Sequence, residues 1–349
     1  MNLDGEDPAS ETGPVATRVL AASPSQLSGE ILDGRYKIEG FLSQGATSRV
    51  YLASDLSTQG AVVVKLLSPE AAEKPRFRAL VEREATVTRR VQHPNVVTIL
   101  DDGVTSGGLP YLVMEALSGE PLDKLLARKG RVKVRQAIKI VREVAHALVA
   151  AHTAGVVHRD VKPGNLLIRR GPGAELDVKL LDFGMAKLSA EDVKEDDAST
   201  VLGTIEYMAP EQIVVEAVDA RADVYSLGVV LFRLATGHLP FETDAGPMVL
   251  RHQLFSPVPP PSWLDESIDP QIEALILNAT RKHPDNRYPT MGAMAEDLDA
   301  ILAGSGRVVQ TRPLVRSPDV YVPTSDRGRE ALRVLSQKFG PYASVPPPS

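Results

Sequence analysis

The hydrophobic pattern of this sequence changes near Leu117, and that change constrains the fold more than any other feature. Before it, short runs rich in β-branched and aromatic residues alternate with turn residues, which predicts strands. These predicted strands are 36–41, 49–54, 61–67, 96–101 and 111–114. A segment at 76–91 instead carries apolar residues at near-helical spacing. The sequence therefore predicts a small β-rich unit with one helix over about 36–115.

Beyond Leu117 the apolar residues recur at helical spacing instead. Helices are predicted at 134–154, 224–235, 270–279 and 290–302. The segment 224–235 is almost entirely apolar, which predicts a buried helix because a surface helix would need a polar face. Gly155 is a natural stop for the helix before it.

The two ends of the chain differ in composition from the middle. Residues 1–30 are rich in Ala, Ser, Pro, Gly and acidic residues without a period, which predicts a disordered leader. Residues 304–349 form a Pro- and Gly-rich tail in which 325–339 has the pattern of one amphipathic helix. Such a helix docks on the body, binds a partner or forms transiently; we favour docking.

Composition narrows the functional class. The 349 residues are enough for one large two-lobed domain, and 39 basic against 45 acidic residues give a net charge of −6. This balance argues against nucleic acid as a partner. The absence of cysteine excludes disulfides and a thiol nucleophile and fits a reducing compartment. Without a membrane-length apolar run or a basic signal sequence, the protein is expected to be cytoplasmic, with no membrane span.

The motif His158-Arg159-Asp160-Val161-Lys162-Pro163-Gly164-Asn165 carries the densest chemistry in the chain. A carboxylate, an ammonium and an amide fall within a loop that Pro163 and Gly164 constrain. This set of groups can orient a hydroxyl, balance phosphate charge and bind a hard cation.

Two further motifs add charged groups at strand ends. Asp182-Phe183-Gly184 follows the apolar stretch 178–181 and offers a carboxylate for magnesium. Lys65 ends the run Val62-Val63-Val64 and needs an anionic partner if it is buried, for which Glu84 is the candidate. Taken singly, Asp-Phe-Gly is a common tripeptide, and a lysine at a strand end usually reaches solvent. The three motifs together, in this order, are a highly specific signal of a functional site.

The sequence resembles the eukaryotic-type protein kinases, in particular their bacterial Ser/Thr branch, over about 36–303. The resemblance extends to Glu211 in Ala209-Pro210-Glu211, to Asp223 before Val224, and to Arg287. It implies the α+β, bilobal protein kinase fold. In that fold 36–115 is a small antiparallel N-lobe with one helix, and 116–303 is a larger, mainly helical C-lobe.

The resemblance also implies roles for the motif residues. Asp160 would accept or orient the substrate hydroxyl, and Lys162 would steady the transferred phosphoryl group. Asn165 and Asp182 would hold Mg²⁺ (or Mn²⁺) against the phosphates of ATP. His158 is interpreted as a packed spacer, not as a proton shuttle.

Two charge pairs are implied as well. Lys65 would bind the α- and β-phosphates once Glu84 pairs with it, which makes the position of that helix a control point. Glu211 and Arg287 resemble the family's buried ion pair, which we interpret as structural.

An adenine pocket is implied by the residues around the end of the β-rich unit. Met114 occupies the gatekeeper position, and backbone groups of Glu115 and Leu117 would hydrogen-bond the adenine edge. Val50 and Val63 would close the apolar sandwich, although Val63 is larger than the family's usual alanine.

The glycine-rich loop departs from the family pattern. Ser43, Gly45 and Ser48 stand at the three glycine positions, so only Gly45 matches. Serine reaches positive φ less readily and keeps the backbone further from phosphate, which predicts a weaker fit to ATP.

The region between Asp182 and Glu211 resembles an activation segment. Ser199 and Thr200 are the candidate sites of regulatory autophosphorylation, which would order this segment. Arg159 marks the class of kinase in which basic residues gather such a phosphate. Thr204 is interpreted as structural support for the catalytic loop.

These observations predict a Ser/Thr protein kinase that transfers the γ-phosphate of ATP to protein hydroxyls, with self-association as a route to autophosphorylation. One alternative is a pseudokinase scaffold, which Ser43 and Val63 faintly favour. A second alternative is a small-molecule phosphotransferase of related fold. Lys162 and the segment ending at Glu211 favour a protein substrate, because they position a peptide.

Overall fold

The computed structural model describes residues 27–45, 47–170, 176–183, 205–242, 246–305, 308–315 and 319–339. Its contacts divide the chain into two compact units. The first unit contains the described residues up to Ala85 together with Thr98–Ala116. The second contains Thr86–Val97 and the described residues from Leu117 onward.

The first unit is built on a six-stranded antiparallel sheet with the strand order β1-β2-β3-β4-β6-β5. Its strands are β1 (Ile31–Leu32), β2 (Tyr36–Gln44), β3 (Ser48–Asp55), β4 (Gly60–Leu67), β5 (Ile99–Val104) and β6 (Pro110–Glu115). Helices α1 (Pro69–Ala72) and α2 (Pro75–Thr88) follow β4. The predicted single helix is α2, and the short α1 was not predicted.

The core of this unit begins earlier than the sequence pattern indicates. Leu27 is only 1% exposed and belongs to the same apolar cluster as Val64 and Leu112. The prediction of a disordered leader over 1–30 is therefore wrong for residues 27–30. One buried leucine supplies the apolar contact that a periodicity argument cannot detect in so short a segment.

Strand β5 lies three residues later than predicted, over Ile99–Val104 and not over 96–101. Val96 and Val97 are buried, but they belong to the second unit, where Val96 forms an isolated bridge with Leu180. Residues 96 and 97 are apolar because they are buried, not because they belong to the sheet. A short apolar run does not distinguish a strand from a buried irregular segment, so the predicted strand began too early.

The second unit is mainly helical. It contains a small antiparallel sheet in the order β7-β8-β9. Its elements in chain order are β7 (Glu120–Pro121), α3 (Leu122–Lys129), α4 (Val134–Thr153), β8 (Leu166–Arg170), β9 (Leu176–Leu180), α5 (Pro210–Ile213), α6 (Arg221–Thr236), α7 (Gly246–Phe255), α8 (Pro270–Ala279), α9 (Met291–Ala303) and α10 (Asp326–Phe339).

Helix α6 forms the centre of this unit, as its apolar sequence predicts. Val224, Leu227 and Leu231 are fully buried. A β-carbon on Gly228 would lie 2.7 Å from Ala279 Cβ, so glycine permits the close packing of α6 against α8. Within the described ranges, no helix has both the length and the hydropathy needed to cross a membrane.

The tail packs on the second unit. Tyr321 and Leu335, which are 3% and 9% exposed, share an apolar cluster with Ile213, Val214 and Leu254. Of the three alternatives for the amphipathic segment, docking on the body is the one that the structure shows.

Candidate active site

One face of the first unit's sheet carries four of the predicted nucleotide-binding residues. In the register of β3, β4 and β6, Val50 pairs with Lys65 and Val63 pairs with Met114. Cross-strand partners point to the same face, as do residues two apart along β4. Val50, Val63, Lys65 and Met114 therefore share a face, with three apolar side chains beside one ammonium.

Lys65 is buried and pairs with Glu84 on α2. Its Nζ donates to both carboxylate oxygens of Glu84, at 3.0 and 3.2 Å. The two side chains are 7% and 1% exposed. The predicted pair is thus present in the structure, and the helix carrying Glu84 is held against β4 by it.

The loop and hinge residues are placed as follows. Gly45 lies in the turn between β2 and β3, where its N–H donates to Ser48 O at 2.8 Å. A β-carbon on Gly45 would meet Ser48 at no less than 3.8 Å, so contacts with the described residues do not themselves require glycine there. Glu115 N–H donates to Thr98 O at 3.0 Å, so this amide is not available to an adenine ring. Leu117 is half-buried at the start of the second unit.

In the second unit, the loop between α4 and β8 is anchored by a buried carboxylate, Asp223. Asp223 accepts hydrogen bonds from the backbone amides of His158 at 2.9 Å and Arg159 at 2.7 Å. His152 Nε2 donates to the same carboxylate at 2.8 Å. Asp223 is fully buried, so these bonds are shielded from water.

This anchoring holds a backbone conformation that L-residues rarely adopt. The anchored residue Arg159 has φ +67°. Asp182, which follows β9, also lies in the left-handed region, with φ +57°. Such residues persist only where their surroundings enforce them, and they cluster at functional sites. Gln212 Nε2 adds a second support by donating to Arg159 O at 2.8 Å. Gln212 and His152 were not predicted to have a role. The only signals in the sequence are that Gln212 follows the motif residue Glu211 and that His152 lies near the end of a predicted helix.

Asp160 is held by its two neighbours in the motif. Lys162 Nζ lies 2.9 Å from Asp160 Oδ2, and Asn165 Nδ2 donates to the same oxygen at 2.9 Å. Asn165 Nδ2 also donates to Asp160 O at 2.8 Å. Within the described part of the chain, the other carboxylate oxygen, Oδ1, is buried and accepts no hydrogen bond. One oxygen of Asp160 is thus fixed and the other is left for an incoming donor.

The β8–β9 pairing brings the two predicted metal ligands to one end of the small sheet. Leu166 pairs with Leu180, so Asn165 immediately precedes one strand and Asp182 closely follows the other. Leu181 N–H donates to Asn165 O at 2.9 Å and ties the two ends together. Because Asn165 donates through its amide nitrogen, its amide oxygen is the atom suited to a cation.

This donor set fits magnesium. Among the described residues, no group of three or more His, Asp or Glu side chains is placed so that it could hold a metal ion by itself. Asn165 and Asp182 supply one amide and one carboxylate, and Mg²⁺ is ordinarily bound by one or two such protein oxygens plus phosphates and water.

His158 is a packed spacer, as interpreted from the sequence. It is fully buried, and its ring centroid lies 4.7 Å from that of Phe183. Nε2 donates to Leu181 O at 2.9 Å, while Nδ1 accepts from Asp160 N–H at 3.2 Å. Both ring nitrogens are therefore occupied by the loop itself.

Glu211 and Arg287 form a fully buried, bidentate pair. Arg287 Nη1 and Nη2 donate to the two Glu211 oxygens at 2.7 and 2.8 Å. The remaining Arg287 donors bond backbone carbonyls of Arg221, Arg281 and Lys282. This arrangement links α5, the start of α6 and the segment before α9.

Lys282 lies next to this pair and is fully buried. Its Nζ donates to Tyr225 Oη at 3.1 Å and lies 4.6 Å from the centroid of the Phe241 ring. Burial lowers the pKa of Lys282 well below its ordinary 10.5, although Asp319 opposes the effect.

The predicted phosphosites Ser199 and Thr200, the supporting Thr204, and Gly184 lie outside the described residues. Asp182 and Phe183 are the last described residues before that gap, and Ile205 is the first after it.

Residues 36–298 match the protein kinase domain family. The chain is 37% identical over 276 residues to serine/threonine-protein kinase PknB of Mycobacterium leprae, with 78% of this chain and 44% of the relative covered. It is 36% identical over 310 residues to serine/threonine-protein kinase Pkn1 of Myxococcus xanthus, with 86% of this chain and 44% of the relative covered. The chain thus spans less than half the length of these relatives.

Among solved structures, the chain resembles the kinase domain of Mycobacterium tuberculosis PknI. The TM-score is 0.63 at 26% identity, with 79% of this chain and 98% of that chain covered. The predicted α+β protein kinase fold is confirmed.

This chain belongs to the protein kinase domain family. Within it, the predicted place in the bacterial Ser/Thr branch is confirmed by these relatives. Members of this family use ATP and a divalent metal to phosphorylate proteins.

Proposed function

We propose that this chain transfers the γ-phosphoryl group of ATP to serine and threonine hydroxyls of protein substrates. The observation that carries the proposal is the carboxylate of Asp160, which has one oxygen fixed by Asn165 and Lys162 and the other buried without a hydrogen bond among the described residues. An acceptor hydroxyl is the donor that this oxygen lacks.

Asp160 would accept the hydrogen bond, and finally the proton, of the substrate hydroxyl. The hydroxyl oxygen forms a bond to the γ-phosphorus while the bond from that phosphorus to the β-phosphate oxygen breaks, and ADP leaves. Lys162 would offset the negative charge of the phosphoryl group in transfer. Its position 2.9 Å from Asp160 supports this role, since it approaches the same carboxylate as the acceptor would.

Asn165 and Asp182 would hold Mg²⁺ (or Mn²⁺), which neutralises charge on the phosphates. Lys65 would bind the α- and β-phosphates, positioned by Glu84. Val50, Val63 and Met114 would contact the adenine ring from their shared face, and Glu115 and Leu117 would contact its edge.

We further propose that the kinase domain extends over 36–303, with an N-lobe of 36–115 and a C-lobe of 116–303. Arg159, Thr204, Glu211, Asp223 and Arg287 would support the catalytic loop and the activation segment. Autophosphorylation at Ser199 or Thr200 between self-associated copies would regulate the enzyme. The absence of cysteine supports a reducing, cytoplasmic location.

The proposal is tested by incubating the purified chain with labelled ATP, Mg²⁺ and a generic protein acceptor. Asp160→Asn keeps the size of the side chain but removes its basicity, so phosphorylation is expected to fall by at least about 100-fold. Asp102→Asn changes an exposed carboxylate in β5 and serves as the matched control, with activity unchanged. A chain that binds ATP by calorimetry but phosphorylates nothing would instead be a pseudokinase scaffold.

A further inference from the structure

The docked tail is attached to the second unit through one carboxylate, Glu216. Tyr321 Oη donates to Glu216 at 2.5 Å, and the backbone amides of Thr324 and Ser325 donate to it at 2.6 and 2.7 Å. Ser325 Oγ donates to the same carboxylate at 3.0 Å. Burial opposes ionisation, but the hydrogen bonds from Ser325, Tyr321 and Thr324 lower the net pKa of Glu216. The acceptor of all these bonds is therefore an anion.

The tail helix approaches this anion unusually closely. A β-carbon on Gly328 would lie 2.5 Å from Glu216 Oε1 and 2.9 Å from Glu216 Cδ. Since several hydrogen bonds hold Glu216 in place, it cannot move aside freely. A residue without a side chain is thus required where the first turn of α10 meets the carboxylate.

The surface beneath the tail is connected to the catalytic loop. The tail covers Ile213 and Val214, which directly follow Gln212. Gln212 donates to Arg159 O in the catalytic loop. Tyr321 N–H also donates to Leu254 O of α7 at 2.9 Å, so the tail spans α5 and α7. The position of the tail therefore bears on the segment that supports the catalytic loop.

We propose that Ser325 is a phosphorylation site, and that a phosphate on its Oγ releases the tail from Glu216. Ser325 is exposed, so another active site can reach it when the tail opens. Phosphorylation removes the hydroxyl that donates to Glu216 and places a charge of about −1.5 to −2 against the carboxylate. Both changes oppose docking.

The phosphate would release the helix without unfolding it. Ser325 Oγ accepts from Gly328 N–H at 2.9 Å, so Ser325 caps the start of α10, where negative charge is favourable. Arg329 already donates to Thr324 O at 3.0 Å and lies within the same turn as Ser325. It offers the phosphate a cationic partner on its own helix. An intact α10 would therefore leave Glu216.

The phosphate source is ATP bound to a second copy of this chain, so this part rests on the proposed function. The γ-phosphorus forms a bond to Ser325 Oγ, its bond to the β-phosphate oxygen breaks, ADP leaves, and the hydroxyl proton passes to Asp160 of that second copy. Because the docked hydroxyl is engaged by Glu216, transfer takes place while the tail is open, and the phosphate then prevents docking again.

The modification is tested by mass spectrometry of the full chain after incubation with ATP and Mg²⁺, with a generic protein acceptor in the same tube. Phosphate on Ser325, and its absence in Lys65→Met, is the expected result. A phosphorylated acceptor without phosphate on Ser325 would overturn the self-modification while leaving the proposed function intact. If the acceptor and Ser325 both stay unmodified, the proposed function fails, and the self-modification, which rests on it, fails as well.

The release of the tail by phosphate is tested without kinase activity, using full-length protein with phosphoserine introduced at position 325 by semisynthesis. Hydrogen exchange at the amides of Tyr321, Thr324 and Ser325 is expected to accelerate at least about tenfold, while α10 stays helical by circular dichroism. In Glu216→Arg, phosphoserine is expected to restore protection, because the guanidinium pairs with phosphate. Unchanged protection on phosphorylation, or release that persists in Glu216→Arg, would overturn the proposal that phosphate on Ser325 releases the tail from Glu216.

Gly328→Ala is the matched variant that leaves every charge in place. Alanine is the better helix former, so α10 itself is stabilised while its approach to Glu216 is blocked. Exchange at Thr324 and Ser325 is expected to accelerate as it does with phosphoserine. A fully protected tail in this variant would show that contact with Glu216 does not hold it.

Discussion

Two buried ion pairs, one in each unit, use the same chemistry in different ways. In the first unit, Lys65 meets Glu84 through one ammonium nitrogen, at 3.0 and 3.2 Å. In the second unit, Arg287 meets Glu211 through two nitrogens, and its remaining donors bond three backbone carbonyls. Both pairs are shielded from water.

The difference indicates which pair can exchange partners. A planar guanidinium with all five N–H groups in use is a structural joint, because any new partner would have to replace several bonds at once. A lysine ammonium is a compact charge whose bonds can be shared with a phosphate. We therefore expect loss of Arg287 to act on stability and loss of Lys65 to act on turnover.

The largest expected effect is on folding. Arg287→Ala leaves Glu211 buried and unpaired and orphans three carbonyls, which should destabilise the second unit by about 3–5 kcal/mol. The measurement is urea denaturation followed by tryptophan fluorescence of Trp263, the single tryptophan, which lies in that unit. Arg287→Lys keeps the charge without the fork and should fall between the variant and the parent. A loss below about 1 kcal/mol would remove the distinction between the pairs.

The next effect is on catalysis. Lys65→Arg is the reverse of the Arg287→Lys substitution and keeps both the burial and the charge. A planar guanidinium, however, cannot present one compact ammonium group to Glu84 and to the phosphates. Phosphorylation of a generic acceptor should fall by about 100-fold, while the unfolding free energy changes by less than about 1 kcal/mol. If stability fell as far as in Arg287→Ala, both pairs would be structural.

A smaller effect, on the pH dependence of stability, tests what burial does to a lysine that, within the described residues, has no carboxylate bonded to its ammonium group. Burial lowers the pKa of Lys282 below 10.5, so the unfolded chain binds more protons in the interval between the two values. Stability should therefore rise with pH across that interval below 10.5, by at most about 1.4 kcal/mol per pH unit. Lys282→Met removes this group, and urea denaturation at pH 7 and pH 9.5 should then show a flatter dependence. An identical slope in both proteins would contradict the assignment to Lys282.

The smallest effect sets the baseline for an exposed pair. Arg128 and Glu120 are 2.7 Å apart, but their side chains are 58% and 38% exposed. Water screens such a pair, so Arg128→Ala should change the unfolding free energy by less than about 0.5 kcal/mol. A larger loss would mean that burial is not what separates the two interior pairs from this one.

The sequence was informative where chemistry is compressed into a short segment. Asp160, Lys162 and Asn165 lie within one loop, and the structure brings all three into contact. The helices with a strong apolar period were also predicted closely, α8 with the observed bounds Pro270–Ala279. Such features depend on neighbours in the chain, so a local pattern suffices to find them.

Two supports that act over long separations and lie outside the family motifs were missed. Gln212 bonds Arg159 across 53 positions, and His152 bonds Asp223 across 71. Nothing local distinguishes such a glutamine or histidine from a surface residue. The short helix α3 was missed for a related reason, because its eight residues are too few to establish a period.

The sequence alone was enough to establish the kinase motifs, the change from strands to helices and the candidate catalytic residues. Each of these can be recognised from a short local pattern of residues. Packing alone established that Leu27 belongs to the core, that Asp223 enforces the left-handed backbone of Arg159, and that Glu216 holds the tail. Each of these depends on atoms distant in sequence meeting in a water-excluded place, where an unpaired polar group is costly and a fitted one is stable.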